Sequence, residues 1–191
     1  MSGRSSPADV TVIEVSTTVD VPPAEAYAFV LDFEGHADYS EFVRDVRRRG
    51  DGDVGTRFDI ELSWWKLSYT FPTQVTALDG PSRIGWRTPN GLHARGEWLF
   101  DPLESETDGG ATTTDDTAGG DAVASSTRVT LRAEYDRSRS RLPRLPPLVS
   151  VDDVLNRLKP VVRREATKVF EHAIADLEGE RRRVTLDVDV Y

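Results

Sequence analysis

The chain has 191 residues and a formal net charge of −9, from 33 acidic against 24 basic side chains, and 21 of the bases are arginine and 3 lysine. That length suits one domain with appendages, and the acidity argues against nucleic acid as a partner, since backbone binding needs a concentrated basic face. The absence of cysteine excludes disulfides and thiol nucleophiles, and the scattered His36, His93 and His172 offer no metal-ligand spacing, so neither a metal nor a cofactor is expected.

An acidic chain that avoids lysine resembles proteins of a high-salt, halophilic cytoplasm, where surface carboxylates hold water and their mutual repulsion is screened. No run of about 18 apolar residues is present to span a bilayer, and the N-terminus lacks the apolar stretch of a secretory signal. A cytoplasmic location is expected. Residues 1–9 are small and polar and read as a disordered tail.

Val10 to Val21 alternates apolar and polar residues and reads as the first strand. Pro22-Pro23 stops it and opens a helix from Ala24 to about Phe33, because proline is tolerated in the first helical turn. Gly35 breaks that helix, and a short helical segment is expected around Ala37 to Phe42. Arg44, Arg47, Arg48 and Arg49, diluted by Asp45 and Asp51, read as a solvated strand end. Gly50 to Asp53 is a turn by composition. Thr56 to Trp64 is a strand, Trp65 to Leu78 a long strand expected to be interrupted or bulged near Pro72, and Asp79 to Ser82 another turn. Arg83 to Thr88 and Leu92 to Asp101 continue the pattern, so an antiparallel meander is implied.

Glu104 to Ser126 has almost no apolar bulk, and a disordered insert at 104–126 is expected, since it cannot bury enough surface to offset its ordering entropy. Its flanks are expected to pair as adjacent antiparallel strands, because a long surface insertion adds little closure entropy. Arg137 to Val149 alternates Arg with Leu and Pro; it reads as a surface loop, with transient membrane contact through 137–149 as the alternative. From Ser150 the apolar residues recur at i, i+3, i+4 and i+7 almost to Glu180, which predicts one long amphipathic helix, kinked or divided at Pro160. The 181–191 extension alternates Val and Leu with polar residues and forms a possible extra strand. The main domain is therefore taken as residues 10–180.

In each predicted strand the apolar side carries no charge. Glu14, Asp20, Arg57, Asp59, Glu61, Lys66, Arg95, Glu97, Arg132, Glu134 and Asp136 all fall on the opposite side, where water solvates them at little cost. The inner face thus suits a greasy content, whether the protein's own core or a guest. Phe58, Trp64, Tyr69, Trp86, Trp98, Tyr135 and Phe170 are predicted inward, as core or as the wall of a ligand cavity. Tyr69, Thr88 and Tyr135 supply inward hydroxyls suited to orienting a ligand carbonyl or hydroxyl. The candidate ligand-binding set is Phe58, Trp64, Tyr69, Trp86, Thr88, Trp98, Tyr135 and Phe170. Cyclisation chemistry wants a proton shuttle or a cation near a developing enolate. Alternation puts Arg87, Arg95 and Glu97 outside, and only a bulge would turn one inward; no catalytic residue is assigned.

The order of elements suggests a curved sheet gripping a long C-terminal helix, an α+β arrangement. The stretch Thr18 to Phe42, the pentad Gly96-Glu97-Trp98-Leu99-Phe100 followed by Pro102, and the strand entry Thr127-Arg128-Val129 resemble the polyketide cyclase/dehydrase and lipid-transport group of the START-like (SRPBCC) superfamily. That resemblance implies the helix-grip, START/Bet v 1-like fold and an apolar cavity between sheet and helix. Members use such cavities to bind lipids, quinones, hormones or polyketides, and in some cases to catalyse cyclisation. The run Asp38 to Val43 also resembles the coenzyme Q-binding START subgroup, with Ser40 where that subgroup has proline. The resemblance implies binding or transport of a small hydrophobic ligand, either lipid, isoprenoid or quinone-like. The alternative it implies is a cyclase/aromatase using cavity hydroxyls and an arginine, and the sequence leaves the oligomeric state open.

Overall fold

The computed structural model describes residues 10–35, 39–64, 67–91, 93–103, 126–136, 138–140, 167–179 and 185–190. The polar 1–9 tail, almost all of the 104–126 insert, most of the 137–149 connector and the region around Pro160 lie outside the described residues.

Among the described residues, eight strands form one sheet: β1 (Val10–Val19), β2 (Val43–Arg49), β3 (Arg57–Trp64), β4 (Leu67–Asp79), β5 (Arg83–Arg87), β6 (Ala94–Leu103), β7 (Ser126–Asp136) and β8 (Asp187–Val190). Their order across the sheet is β2-β3-β4-β5-β6-β7-β1-β8. The six strands from β2 to β7 are the expected meander, and every neighbouring pair is antiparallel. The flanks of the insert pair as expected, from Ala94↔Tyr135 to Leu103↔Ser126, so Ser126 belongs to a strand and not to the insert. Within the C-terminal extension, β8 pairs with β1 of the same chain, from Ile13↔Val190 to Ser16↔Asp187.

Proline starts the first helix as read. Pro22 is the N-cap of α1 (Pro23–Leu31), where a missing N–H removes no helical bond. Of the segment expected to be helical around Ala37 to Phe42, residues 36–38 lie outside the described residues and Glu41 and Phe42 form a turn into β2, where three of the four arginines meet carboxylates. Arg47 bonds Asp45 at 2.6 Å, Arg48 meets Glu34 at 3.3 Å and Arg49 meets Asp59 at 2.9 Å. Arg48 stands opposite Phe58, so at this edge strand a cation does lie on the inner side, held out by Glu34.

The long β4 is bulged, but not at Pro72. Pro72 sits in register opposite Asp59, and the shift falls between Val75 and Ala77. The reason is positional: β5 ends at Arg87, before the register brings a residue opposite Pro72 on that side, so its missing N–H leaves no ladder bond unmade. The extra residue, Thr76, sits against Gly85 instead, where a Cβ would meet the Thr76 Oγ1 at 2.9 Å.

Only part of the predicted C-terminal helix is described, as α2 (167–178), ended by Gly179 in the left-handed region at φ 77°. It packs across the inner face of the sheet. Ile174, 3 % exposed, joins Val19, Val21, Ala26, Val30, Ile84, Phe100 and Val129 in one core cluster, with Phe170 and Leu177 beside it. Its C-terminal end is tied to the β1–α1 turn, where the backbone N–H of Asp20 donates to a Glu178 carboxylate oxygen at 2.7 Å.

Candidate ligand site between sheet and helix

Register fixes which side chains share the inner face. Ile84↔Trp98 and Trp86↔Gly96 align across β5 and β6, and Phe100↔Val129, Trp98↔Leu131 and Ala94↔Tyr135 across β6 and β7. The same pairings put Arg83, Arg87, Arg95 and Glu97 on the outer face. There Arg83 bonds Glu97 at 2.8 Å and Arg95 bonds Glu134 at 2.6 Å. No bulge inverts Arg87 or Arg95. The arginine that a cyclase reading required is therefore outside the hollow.

Beneath α2 lies a cavity of about 180 Å³. Trp98 and Val129 form its sheet wall with Thr17 and Val19, Phe29 and Val30 of α1 close one side, and Phe170, Ala173 and Ile174 of α2 form the roof. Among the described residues, no charged side chain lines it. Its few polar atoms are largely engaged: the Thr17 hydroxyl donates to the Thr185 carbonyl at 3.2 Å. Tyr39 also lines the cavity and packs on Phe29, with ring centroids 5.9 Å apart.

Of the candidate set, Trp98 and Phe170 line this cavity. Phe58 is 4 % exposed and packs on Phe33, with centroids 4.8 Å apart, so it fills core beside the cavity. Thr88 is a strand-end bracket: its hydroxyl donates to the Ala94 carbonyl at 3.1 Å and accepts from the Ala94 N–H at 2.9 Å. Trp64 closes β3 opposite Leu67, and its side chain lies outside the described residues. Trp86, Tyr69 and Tyr135 form a second group on the same face, farther along the sheet. Trp86 lies over Gly96, which has no side chain to displace it.

Tyr69 and Tyr135 stand on β4 and β7, three strands apart across the sheet. Partial burial chiefly, and the Tyr135 phenol to a lesser degree, push the Tyr69 pKa up, so Tyr69 is a neutral donor throughout the physiological range. One more inner-face hydroxyl was not singled out from sequence: Thr73 Oγ1 is buried and has no hydrogen-bond partner among the described residues. Phe29 and Tyr39 were missed as lining residues too. The signal for Tyr39 was its place in the Asp38 to Val43 run.

A curved antiparallel sheet, a helix across its inner face and an uncharged hollow between them define a START-like helix-grip protein. The chain belongs to the polyketide cyclase / dehydrase and lipid transport family, whose model matches residues 10–178. Among solved structures it is similar to the Zhui aromatase/cyclase of a Streptomyces species, with TM-score 0.63 and 16% identity over 88% of this chain and 94% of that one. It is similar also to a START superfamily protein from Mycobacterium smegmatis, with TM-score 0.57 and 14% identity over 87% and 99% of the two chains. A norcoclaurine synthase from Thalictrum flavum, in complex with dopamine and hydroxybenzaldehyde, aligns with TM-score 0.56 and 13% identity over 95% and 96%. At these identities the likeness is one of fold. A search of curated protein sequences finds no significant match.

Proposed function

We propose that the protein binds and carries a small hydrophobic ligand of lipid, isoprenoid or quinone-like character, with one apolar end seated under α2. The observation that carries this reading is the cavity of about 180 Å³ that no charged side chain lines among the described residues. An apolar void of roughly 150 Å³ holds a benzene ring, so this one suits an aromatic ring or a short branched hydrocarbon segment. Burying such a group contributes about 1.5–3 kcal/mol, less than the roughly 4 kcal/mol of even millimolar affinity. The rest of the ligand must therefore extend along the inner face towards Trp86, Tyr69 and Tyr135, where the two phenols meet its carbonyl or hydroxyl.

The enzyme reading has less behind it. Family and neighbours include cyclases, but polarising an enolate needs a cation or proton shuttle at the reacting atoms. Arg87 and Arg95 face outward, which leaves no guanidinium on the inner face of β5 and β6, and the phenols of the inner face stand on β4 and β7.

The test is native mass spectrometry of the protein purified from its own cells, followed by extraction of what it carries. A bound isoprenoid, quinone or lipid is expected, and Trp98→Ala lowers affinity for it at least ~10-fold, or about 1.4 kcal/mol. Protein that is recovered empty and takes up nothing from a lipid extract would refute the proposal.

A further inference from the structure

The outer face of the sheet carries a feature that the apolar cavity does not explain. One transverse row of register partners runs Arg49↔Arg57↔Gln74↔Arg87↔Arg95↔Glu134 across β2 to β7. Two of its contacts, Arg49↔Arg57 and Arg87↔Arg95, set like charges directly opposite each other, an arrangement that destabilises a sheet. The next row over β6, β7 and β1 alternates in sign, as Glu97↔Arg132↔Glu14. A chain with net charge −9 has carboxylates in plenty to neutralise a basic row, so the clustering opposes both its composition and its stability.

The row borders a cleft of about 710 Å³, far larger than the inner cavity, with Arg139 and Asn90 at its rim. Its carboxylates are already engaged. Glu134 is bonded to Arg95 at 2.6 Å, and Asp136 accepts from the Ser138 hydroxyl at 2.7 Å and the Arg139 N–H at 3.2 Å. Gln74 is fixed as well: its amide oxygen accepts from both Nε and Nη2 of Arg87, at 3.2 and 2.9 Å, while its amide nitrogen donates to the Gly55 carbonyl at 3.2 Å. Arg57, Arg87 and Arg139 are thus guanidiniums with no carboxylate partner among the described residues, arranged round one cleft.

We propose that this cleft binds a phosphorylated small molecule, with Arg57 and Arg87 as the principal donors and Arg139 closing from the rim. Guanidinium forks match phosphoryl oxygens two at a time, and an anion of charge −2 or more relieves the repulsion built into the row. Arg57 and Arg87 are two strand spacings apart, about 9.6 Å at the backbone, so a diphosphate spans them better than a single phosphate. The site lies on the face opposite the apolar cavity and does not depend on what that cavity holds.

Calorimetric titration of the full-length protein with inorganic pyrophosphate at low salt tests this. Saturable binding is expected, weakened roughly 10-fold by Arg87→Gln or Arg57→Gln, abolished in the double variant, and changed less than about 2-fold by Arg132→Gln on the same face. The exposed positions of Arg57 and Arg87 leave folding intact, which a melting curve of each variant verifies. Absence of saturable heat, equal weakening by Arg132→Gln, or equally tight binding of citrate would overturn the proposal. Sedimentation with vesicles of phosphatidylcholine and phosphatidic acid, without affinity for pyrophosphate, would overturn it in favour of a bilayer surface. Each of these failures leaves occupancy of the inner cavity unchanged, so it is distinguishable from failure of the hydrophobic-carrier reading.

Discussion

Gly96 shows how one absent side chain arranges the inner face. A Cβ there would overlap the Arg132 carbonyl oxygen on β7 and come within 2.6 Å of the Trp86 ring. Backbone cannot yield as a flexible side chain can. Gly96→Ala is therefore expected to destabilise the fold by about 1–3 kcal/mol through overpacking and to shift the near-ultraviolet signal of the tryptophans; an unchanged melting curve would contradict the close approach. Thr73 offers the opposite change. Its buried hydroxyl lacks a partner among the described residues, and an unsatisfied buried group costs about 1–3 kcal/mol. Thr73→Val keeps the shape and removes the cost, so at about 2–4 °C per kcal/mol a rise in Tm of about 2–12 °C is expected. A fall would mean that the hydroxyl is engaged. Sequence could show that both residues lie on the apolar side of their strands. It could not show that Trp86 lies over Gly96, because that depends on the pairing of β5 with β6 and not on the alternation within either.

The same limit holds for whole elements. Alternation placed β1, β3, β4, β5, β6 and β7 within a few residues and assigned their inner faces, since a period of two is a local property. The bulge was misplaced because proline is the visible irregularity in β4, whereas the cause of the actual shift, Thr76 against Gly85, arises from a neighbouring strand. Within the site, sheet and helix residues such as Trp98 and Phe170 were legible from periodicity; Phe29 was not, because the packing angle of α1 decides which of its rings reach the hollow, and Tyr39 was not, because it lies between α1 and β2 and follows neither period. Nor could local pattern decide where the C-terminal strand pairs. Its attachment to β1 invites a test. Four residue pairs join β8 to β1, Thr185 accepts from Thr17 at the cavity wall, and Leu186 packs on the core cluster. Deleting residues 185–191 is expected to cost about 2 kcal/mol, from one half-buried leucine and the lost ladder bonds. It also bares the β1 edge, which exposes unpaired backbone groups to another chain. Light scattering should show concentration-dependent association of the truncated protein, and a monomer of unchanged stability would show that β8 contributes nothing.

At the scale of the molecule, net charge competes with ion pairing. The outer-face pairs, such as Arg83–Glu97 and Arg95–Glu134, are exposed on the arginine side and contribute little each, because solvent screens them. Against them stands the self-repulsion of a net charge of −9. The segment 104–125 holds six acidic residues and no basic one, so removing it changes the net charge from −9 to −3. Leu103 and Ser126, at its two ends, are directly paired, which is the geometry that a two-residue Asn-Gly turn closes. Replacing 104–125 by Asn-Gly is therefore expected to leave the sheet intact and to raise Tm in dilute buffer. In 1 M KCl, where the Debye length shrinks to about 3 Å, the difference should largely vanish, because screening removes the same repulsion from the full-length chain. The wild-type Tm itself should climb over that range. A shortened chain that is less stable at every salt concentration would instead assign the segment a packing role, and a wild-type Tm that falls with KCl would show that the outer-face ion pairs outweigh the net charge.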